Sequence, residues 1–323
     1  MAKKNKKNKK NKFTTKRSKK KTDYSLTMAY LAKKAAKQFG LKDLTPELKI
    51  GLLKCLTDPI SEFEKLGAVT PSKDGPAILI DNDADILGVA HLDWVYFNDN
   101  PKIDWKRGII SKTPQLDDRL GVWVLLYLLP VIAPDLKYDV LLCDSEEIGR
   151  STGQNWEFGQ KQYNWGFEFD RAGTDTVLYE YDSPAWRKTV GEFSPIGRGA
   201  FSDISYLENL CCKMMNIGCG YHEQHTPHCY AKLEETIMMT RAFAVWASEN
   251  KDTLHTHTEY VPPLMRHSLS HSAYDYGYND EPETWQDYVR SEFDDVECKI
   301  CKSLTDQELI CADCQYAAAR MYA

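Results

Sequence analysis

Five short acidic and histidine motifs punctuate the chain, each opening or ending an apolar run. They are His91-Leu92-Asp93, Asp117-Asp118-Arg119-Leu120-Gly121, Glu146-Glu147-Ile148-Gly149, Asp170 closing Phe167-Glu168-Phe169-Asp170, and His225 in His225-Thr226-Pro227. Imidazoles and carboxylates are ligands that zinc and similar divalent cations take. Two cations in one site need about this many donors, with one carboxylate shared between them. His91 offers a neutral imidazole, and Asp93, two residues on in an extended segment, can turn back to orient it. Asp117 can span two cations roughly 3.5–4 Å apart. Of the adjacent Glu146 and Glu147, one can be held by metal while the other stays free as a base. Two cations nearby bring the pKa of a water toward about 7. Asp170 and His225 would complete the two coordination spheres.

Each motif alone has a plainer reading. Asp117 and Asp118 could cap the helix that begins before Leu120, and Glu146-Glu147 could be a solvated turn. Their placement argues otherwise. Ile86–Ala90, Tyr138–Cys143, Trp165–Phe169 and Lys213–Ile217 read as short apolar strands. A motif follows or ends each of these four, and α/β sheets present their sites at the carboxyl ends of strands.

Other elements follow from the same patterning. Tyr24–Phe39 and Pro46–Leu56 are expected helices, with Gly40 at the end of the first and Thr45-Pro46 at the start of the second. Ala77–Ile80 and Ile86–Ala90 flank a turn-rich Asp81–Asp85 and read as a hairpin. Leu120–Leu129 is apolar nearly all round and reads as a buried helix that Pro130 stops. Thr176–Tyr179 is an expected strand, Asp203–Leu210 a helix, and Ala231–Ser248 a long helix. Strands alternating with helices imply an α/β domain, with a mixed, mainly parallel central sheet and helices on both faces. Gly197–Asp203 is either a cleft-lining loop or a plain helix entry.

Charge and cysteine divide the rest of the chain. Residues 1–22 hold twelve Lys or Arg and no acid until Asp23, so the formal net charge of −6 leaves −18 on the remainder. Such a Lys-rich tail is expected to be disordered and suited to transient contact with nucleic acid or another polyanion. No run of 18 apolar residues is present and the chain starts without an apolar signal core, so a membrane span is not expected and the expected compartment is the cytoplasm. Of ten cysteines, Cys298, Cys301, Cys311 and Cys314 form two Cys-x-x-Cys knuckles nine residues apart, an expected structural Zn2+ site in a small ribbon or knuckle. Metal binding can supply roughly 10–16 kcal/mol of folding free energy to such a segment. Cys55, Cys143, Cys211, Cys212 and Cys219 read as small buried hydrophobes. The expected organisation is a tail (1–22), a catalytic domain (23–249), a loose linker (250–290) whose histidines lie on the surface, and a four-cysteine zinc module (291–323).

His91-Leu92-Asp93-Trp94-Val95, Leu116-Asp117-Asp118-Arg119-Leu120-Gly121, Ser145-Glu146-Glu147-Ile148-Gly149, Phe169-Asp170 and Gly220–Pro227 together resemble the co-catalytic dizinc exopeptidases. These are aminopeptidases, tripeptidases, carboxypeptidases and related deacylases that share one α/β catalytic fold. The resemblance spans about residues 45–248, and the Asp117 and Glu146 segments look most like the glutamyl and deblocking aminopeptidase branch.

The resemblance implies that Asp117 bridges two Zn2+ (or Co2+ or Mn2+) ions, with His91 and Asp170 completing one sphere and Glu147 and His225 the other. Glu146 would be the general base, Asp93 would orient His91, and the Asp117–Asp118 peptide bond would be cis. The last ligand has a rival in His222. Gaps of about 20 and 55 residues between Glu147, Asp170 and His225 leave little room for the large lid domain of many relatives. The implied activity is that of an aminopeptidase on peptide substrates. A carboxypeptidase or N-acyl-amino-acid deacylase of the same fold is the alternative within enzymes. A catalytically dead module that binds nucleic acid or protein is the alternative outside them.

Overall fold

The computed structural model describes residues 25–34, 36–156 and 161–258. The Lys-rich tail, the four-cysteine module and nearly all of the expected linker lie outside the described residues.

Eleven strands are described: β1 (Ala68–Ser72), β2 (Gly75–Ile80), β3 (Ile86–His91), β4 (Lys102–Asp104), β5 (Ile109–Ser111), β6 (Asp139–Cys143), β7 (Trp165–Arg171), β8 (Thr176–Val177), β9 (Met214–Gly218), β10 (Tyr221–His222) and β11 (Tyr230–Lys232). Seven form a central sheet in the order β1-β2-β6-β3-β7-β9-β8. Its middle pairs, β6-β3, β3-β7 and β7-β9, are parallel, while β1-β2, β2-β6 and β8-β9 are antiparallel. The mixed, centrally parallel sheet is the expected architecture. All six residues of β3 are buried, as a strand covered on both faces requires.

Helices α1 (Ser25–Lys33), α2 (Pro46–Thr57), α3 (Ile60–Phe63), α4 (Leu116–Trp123), α5 (Leu129–Ile132), α6 (Pro184–Val190) and α7 (Leu233–Asn250) complete the described fold. The two faces of the sheet are covered differently. Trp165, Phe167 and Phe169 of β7 meet Phe243 of α7 in a cluster of aromatic pairs. Glu168, which alternation turns to the opposite face, meets Ser202 at the head of a 3-10 turn, Asp203–Tyr206. At β7, one face thus packs on α7 and the other meets a short turn.

Several expectations are corrected. The hairpin does not form, because β6 inserts between β2 and β3: the Asn82 and Ala84 amides and the Asn82 side chain bond Asp139 and Tyr138 at its amino end. Pro130 does not stop the buried helix. A π-helical turn over Val124–Leu128 widens the backbone ahead of the proline ring, and α5 continues to Ile132. The helix expected over Asp203–Leu210 is two separate 3-10 turns. Cys211 is exposed, whereas Cys55, Cys143, Cys212 and Cys219 are buried. His257 is not a surface histidine: it is 1% exposed, with Nε2 at 3.4 Å from Glu208. A second sheet, β10-β11-β5-β4, was not expected, its strands being only two or three residues long. Among the described residues no helix is long and apolar enough to cross a membrane.

Candidate metal centre

The carboxyl edge of the parallel core gathers the motif residues. His91 is the last residue of β3, and the Leu92 amide bonds Cys143 O across to β6 at 2.8 Å, so His91 leaves the sheet beside the segment that leads to Glu146. Ser145 and Gly149, both with positive φ (65° and 68°), bracket the tight turn that presents Glu146 and Glu147. A bulge in β7 between Glu168 and Arg171 re-aims Asp170. Asn216 on β9 grips the bulge from both sides, accepting from Asp170 N and donating to Asp170 O, each at 3.1 Å.

At the start of α4 the two aspartates part company. Asp118 caps the helix, accepting from Gly121 N at 3.1 Å, which is the plainer reading of this motif. Asp117 turns into the site. Gly121 permits the close approach: a Cβ there would lie 2.2 Å from Asp118 Oδ1 and 2.7 Å from Phe169 O. The Asp117–Asp118 peptide bond is cis.

Two donor groups meet at Asp117. His91 Nε2 lies 3.3 Å from Asp117 Oδ1 and 3.5 Å from Asp170 Oδ1. His225 Nε2 lies 3.2 Å from Asp117 Oδ2 and 3.0 Å from Glu147 Oε2. The two oxygens of one carboxylate therefore face two different histidines. The groups are contiguous, since ligand atoms of His91, Asp117 and Glu147 all fall within 4.8 Å of one another. Glu146 stands beside them, with Oε2 at 3.8 Å from His91 Nε2.

Asp93 sits behind this cluster. Its Oδ1 is 3.3 Å from His91 Nδ1, and its two oxygens accept the Glu146 and Glu147 amides at 3.1 and 3.0 Å. One carboxylate thus faces the far side of one imidazole and clamps the Glu-Glu turn. His222 points elsewhere, with Nε2 at 2.7 Å from Glu235 Oε2 and its ring stacked on Tyr230. It is His225, in the loop between β10 and β11, that joins the cluster.

The electrostatics call for positive charge. Burial, followed by the repulsion of Asp170, Asp203 and Glu147, pushes the Glu146 carboxyl well above its ordinary range. Burial and Asp117 raise both Glu147 and Asp170. Burial opposes protonation of the two histidines. Asp117 and Glu147 outweigh it at His225, whose pKa is pushed up to about 11, and Asp170, Asp117 and Asp93 outweigh it at His91. His91 Nε2 is fully buried and has no hydrogen-bond partner among the described residues. A basic nitrogen among carboxylate oxygens, all within 4 Å and with few donors to share, suits a divalent cation, and the N and O donor set fits zinc, cobalt or manganese.

Tyr221 and Asn216 were not singled out by sequence reasoning. Tyr221 Oη donates to Asp170 Oδ1 at 3.3 Å and is buried, and Asn216 holds the Asp170 backbone. Tyr221 lies inside the Gly220–Pro227 motif, which was a signal for it; Asn216 carried none. Gly197–Asp203 contributes Ser202, which bonds Glu168, and the buried Asp203, whose charge adds to the repulsion at Glu146.

No family model matches the chain and no curated protein matches it. Solved structures that resemble it include a tripeptidase from Staphylococcus aureus, 11% identical with a TM-score of 0.42, over 68% of this chain and 96% of that one. Aminopeptidase PepT from Bacillus cereus is 12% identical with a TM-score of 0.43, over 69% and 97%. The TET1 peptidase of Pyrococcus horikoshii is 13% identical with a TM-score of 0.40, over 68% and 99%.

Proposed function

We propose that this protein is a metal-dependent exopeptidase that removes residues from the amino end of peptides. The observation that carries the reading is the Asp117 carboxylate, whose two oxygens face separate donor groups built on His91 and His225. In this reading, His91 and Asp170 would hold one cation and Glu147 and His225 the other, with Asp117 available to both. Divalent cations held there would supply Lewis acidity, both to a water and to the scissile carbonyl.

The chain's own residues do the rest. Glu146, buried among carboxylates that raise its pKa, takes the proton from the attacking water and delivers it to the leaving amine. Asp93 fixes the His91 ring and, through the Glu146 and Glu147 amides, the position of the base relative to that ring. The polarity follows from charge. Carboxylates crowd the centre, Asp93, Asp117, Asp118, Glu146, Glu147, Glu168, Asp170 and Asp203 among the described residues, and a field of that sign favours a free ammonium over a free carboxylate.

Outside the catalytic domain, Cys298, Cys301, Cys311 and Cys314 hold a structural zinc in this reading, and the Lys-rich tail contacts polyanions. Full-length protein is then expected to carry three metals per chain, and two after Cys298→Ser with Cys301→Ser. The deciding experiment is hydrolysis of an aminoacyl-chromophore panel by metal-loaded protein, with Glu146→Gln alongside. Turnover should fall roughly 10²–10⁴-fold in the variant while its metal content is kept. Turnover only on amino-blocked or carboxyl-terminal substrates would move the assignment to a deacylase or carboxypeptidase. Metal bound with no turnover on any panel would leave a binding protein.

A further inference from the structure

Arg119 follows the two aspartates into α4 and is 1% exposed. Burying a guanidinium is costly, and an apolar side chain of similar size commonly serves a core as well or better. This one makes its hydrogen bonds to carbonyls rather than to a carboxylate. Nε donates to Leu92 O at 2.6 Å, and Nη1 donates to Cys55 O at 3.0 Å and Asp58 O at 3.1 Å. The guanidinium also packs on two rings, Phe63 and Trp94, whose centroids lie 4.8 and 4.7 Å from Cζ.

The bonds to Cys55 and Asp58 close the carboxyl end of α2, an ordinary use of arginine. The bond to Leu92, the shortest of the three, does something else. Leu92 lies between His91 and Asp93, and Trp94 is the next residue, so the guanidinium holds the segment that carries the imidazole and its orienting carboxylate. Arg119 itself stands two residues from Asp117. One planar group therefore spans the shared carboxylate's segment and the His91–Asp93 segment, and Asp93 extends the connection to the Glu146 and Glu147 amides. Lysine has no fork with which to reach these carbonyls.

We propose that Arg119 is a positioning residue for the metal centre: its guanidinium sets the spacing between Asp117 and the His91–Asp93 pair. The proposal rests on the two-metal reading above. It makes no claim that Arg119 touches substrate.

Manganese binding to the full-length chain tests it, read by electron paramagnetic resonance. Mn2+ prefers oxygen and nitrogen donors to thiolates, so the cysteine module does not compete for it. Wild type is expected to bind two Mn2+ with the spectrum of an exchange-coupled pair. Arg119→Lys is expected to bind them about tenfold or more weakly, the scale of outer-shell changes, and to show isolated ions instead of a coupled pair. Trp94→Leu removes the ring on the guanidinium from a half-buried loop position and should shift both readouts in the same direction by less. Val190→Ala, a truncation in α6 at a fully buried site, is the control for general destabilisation and should keep the wild-type affinity and spectrum.

Wild-type affinity and coupling in folded Arg119→Lys would overturn the proposal. Should that variant not fold, wild-type behaviour of Trp94→Leu would do the same. An equal loss in Val190→Ala would also overturn it, by showing that general destabilisation suffices. A wild type that binds no Mn2+ would overturn the two-metal reading and this proposal together, which separates the two failures.

Discussion

The two ends of β6 bury carboxylates in opposite ways. At its amino end Asp139 is fully buried and saturated with donors: Asn82 N at 2.9 Å, Ala84 N at 3.2 Å, Tyr163 Oη at 2.8 Å and Lys161 Nζ at 2.5 Å. Beyond its carboxyl end, Glu146 and Glu147 join Asp117 and Asp170 with two imidazoles between them and few donors to share. Three of those four carboxyls are pushed above their ordinary range by burial and by one another. Burial alone does not distinguish a structural carboxylate from a functional one. The deficit of donors does, because a buried charge left unanswered by the protein must be answered by a ligand.

The same isosteric change made at either end should separate them. Asp117→Asn removes the charge that both donor groups share. It is expected to abolish turnover and to weaken binding of both cations by more than the roughly 10–100-fold typical of outer-shell changes. Metal per chain by mass spectrometry, taken with turnover, checks it; a variant that keeps both catalytic metals would break the comparison at its strongest point.

Removing the metals should have the next largest effect, and it should depend on pH. Without cations, Asp144 and Asp203 have pKa values pushed up to about 6 from an ordinary 3.8, in both cases chiefly by burial. Glu146, Glu147 and Asp170 are raised as well. Groups whose folded pKa lies above the unfolded value hold extra protons in the native state. Their contribution is complete below the unfolded pKa and is lost as pH rises through the folded one. The metal-free protein should therefore lose stability from about pH 4 through about 6 and above, while the loaded protein gains relative to it, because protons and cations compete for the same atoms. The difference in Tm with and without chelator should widen with pH. It corresponds to about 2.7–4.1 kcal/mol when free metal is roughly 100 to 1,000 times Kd. A difference that narrows between about pH 5 and 8 would contradict the donor-deficit account.

How much of this was legible in the sequence depended on range. The motif residues stood at strand ends because strands 138–143 and 165–169 are apolar runs that stop at a charge, a pattern local to a few residues. The hairpin over 77–90 failed for the opposite reason. Its turn-rich Asp81–Asp85 looks like a two-strand connection, yet its amides serve Asp139 on a strand more than fifty residues away. Strands β4, β5, β10 and β11 are too short to show a period. The resemblance favoured His225 over His222, and the β10-β11 pairing, which sets His222 opposite Tyr230, supplies the physical reason. Asn216 reads as an ordinary strand residue until the β7 bulge gives it a backbone to hold.

Asp139→Asn should cost stability without touching the chemistry. The variant keeps an acceptor for the two amides but loses the charge opposite Lys161, so about 1–3 kcal/mol is expected from denaturant unfolding. Metal content and turnover should remain at wild-type levels. A fall in turnover at matched metal content would mean that the two ends of β6 are coupled, and the contrast between them would have to be redrawn.

The smallest effect tests the site's own boundary. His222 and His225 stand three residues apart, one bonded to Glu235 and the other among the ligands. His222→Gln can still donate to Glu235, which Lys232 also holds at 2.6 Å, so the loss should be about 0.5–1.5 kcal/mol of stability with turnover unchanged. His225→Gln removes a ring nitrogen that faces both Asp117 and Glu147 and should cost one cation. Run as a pair, the two variants compare a histidine whose needs the protein meets with one whose needs it does not. If His222→Gln lost the metal and His225→Gln kept it, the loop between β10 and β11 would present its ligand in the other register, and Glu235 would have to be counted among the site's carboxylates.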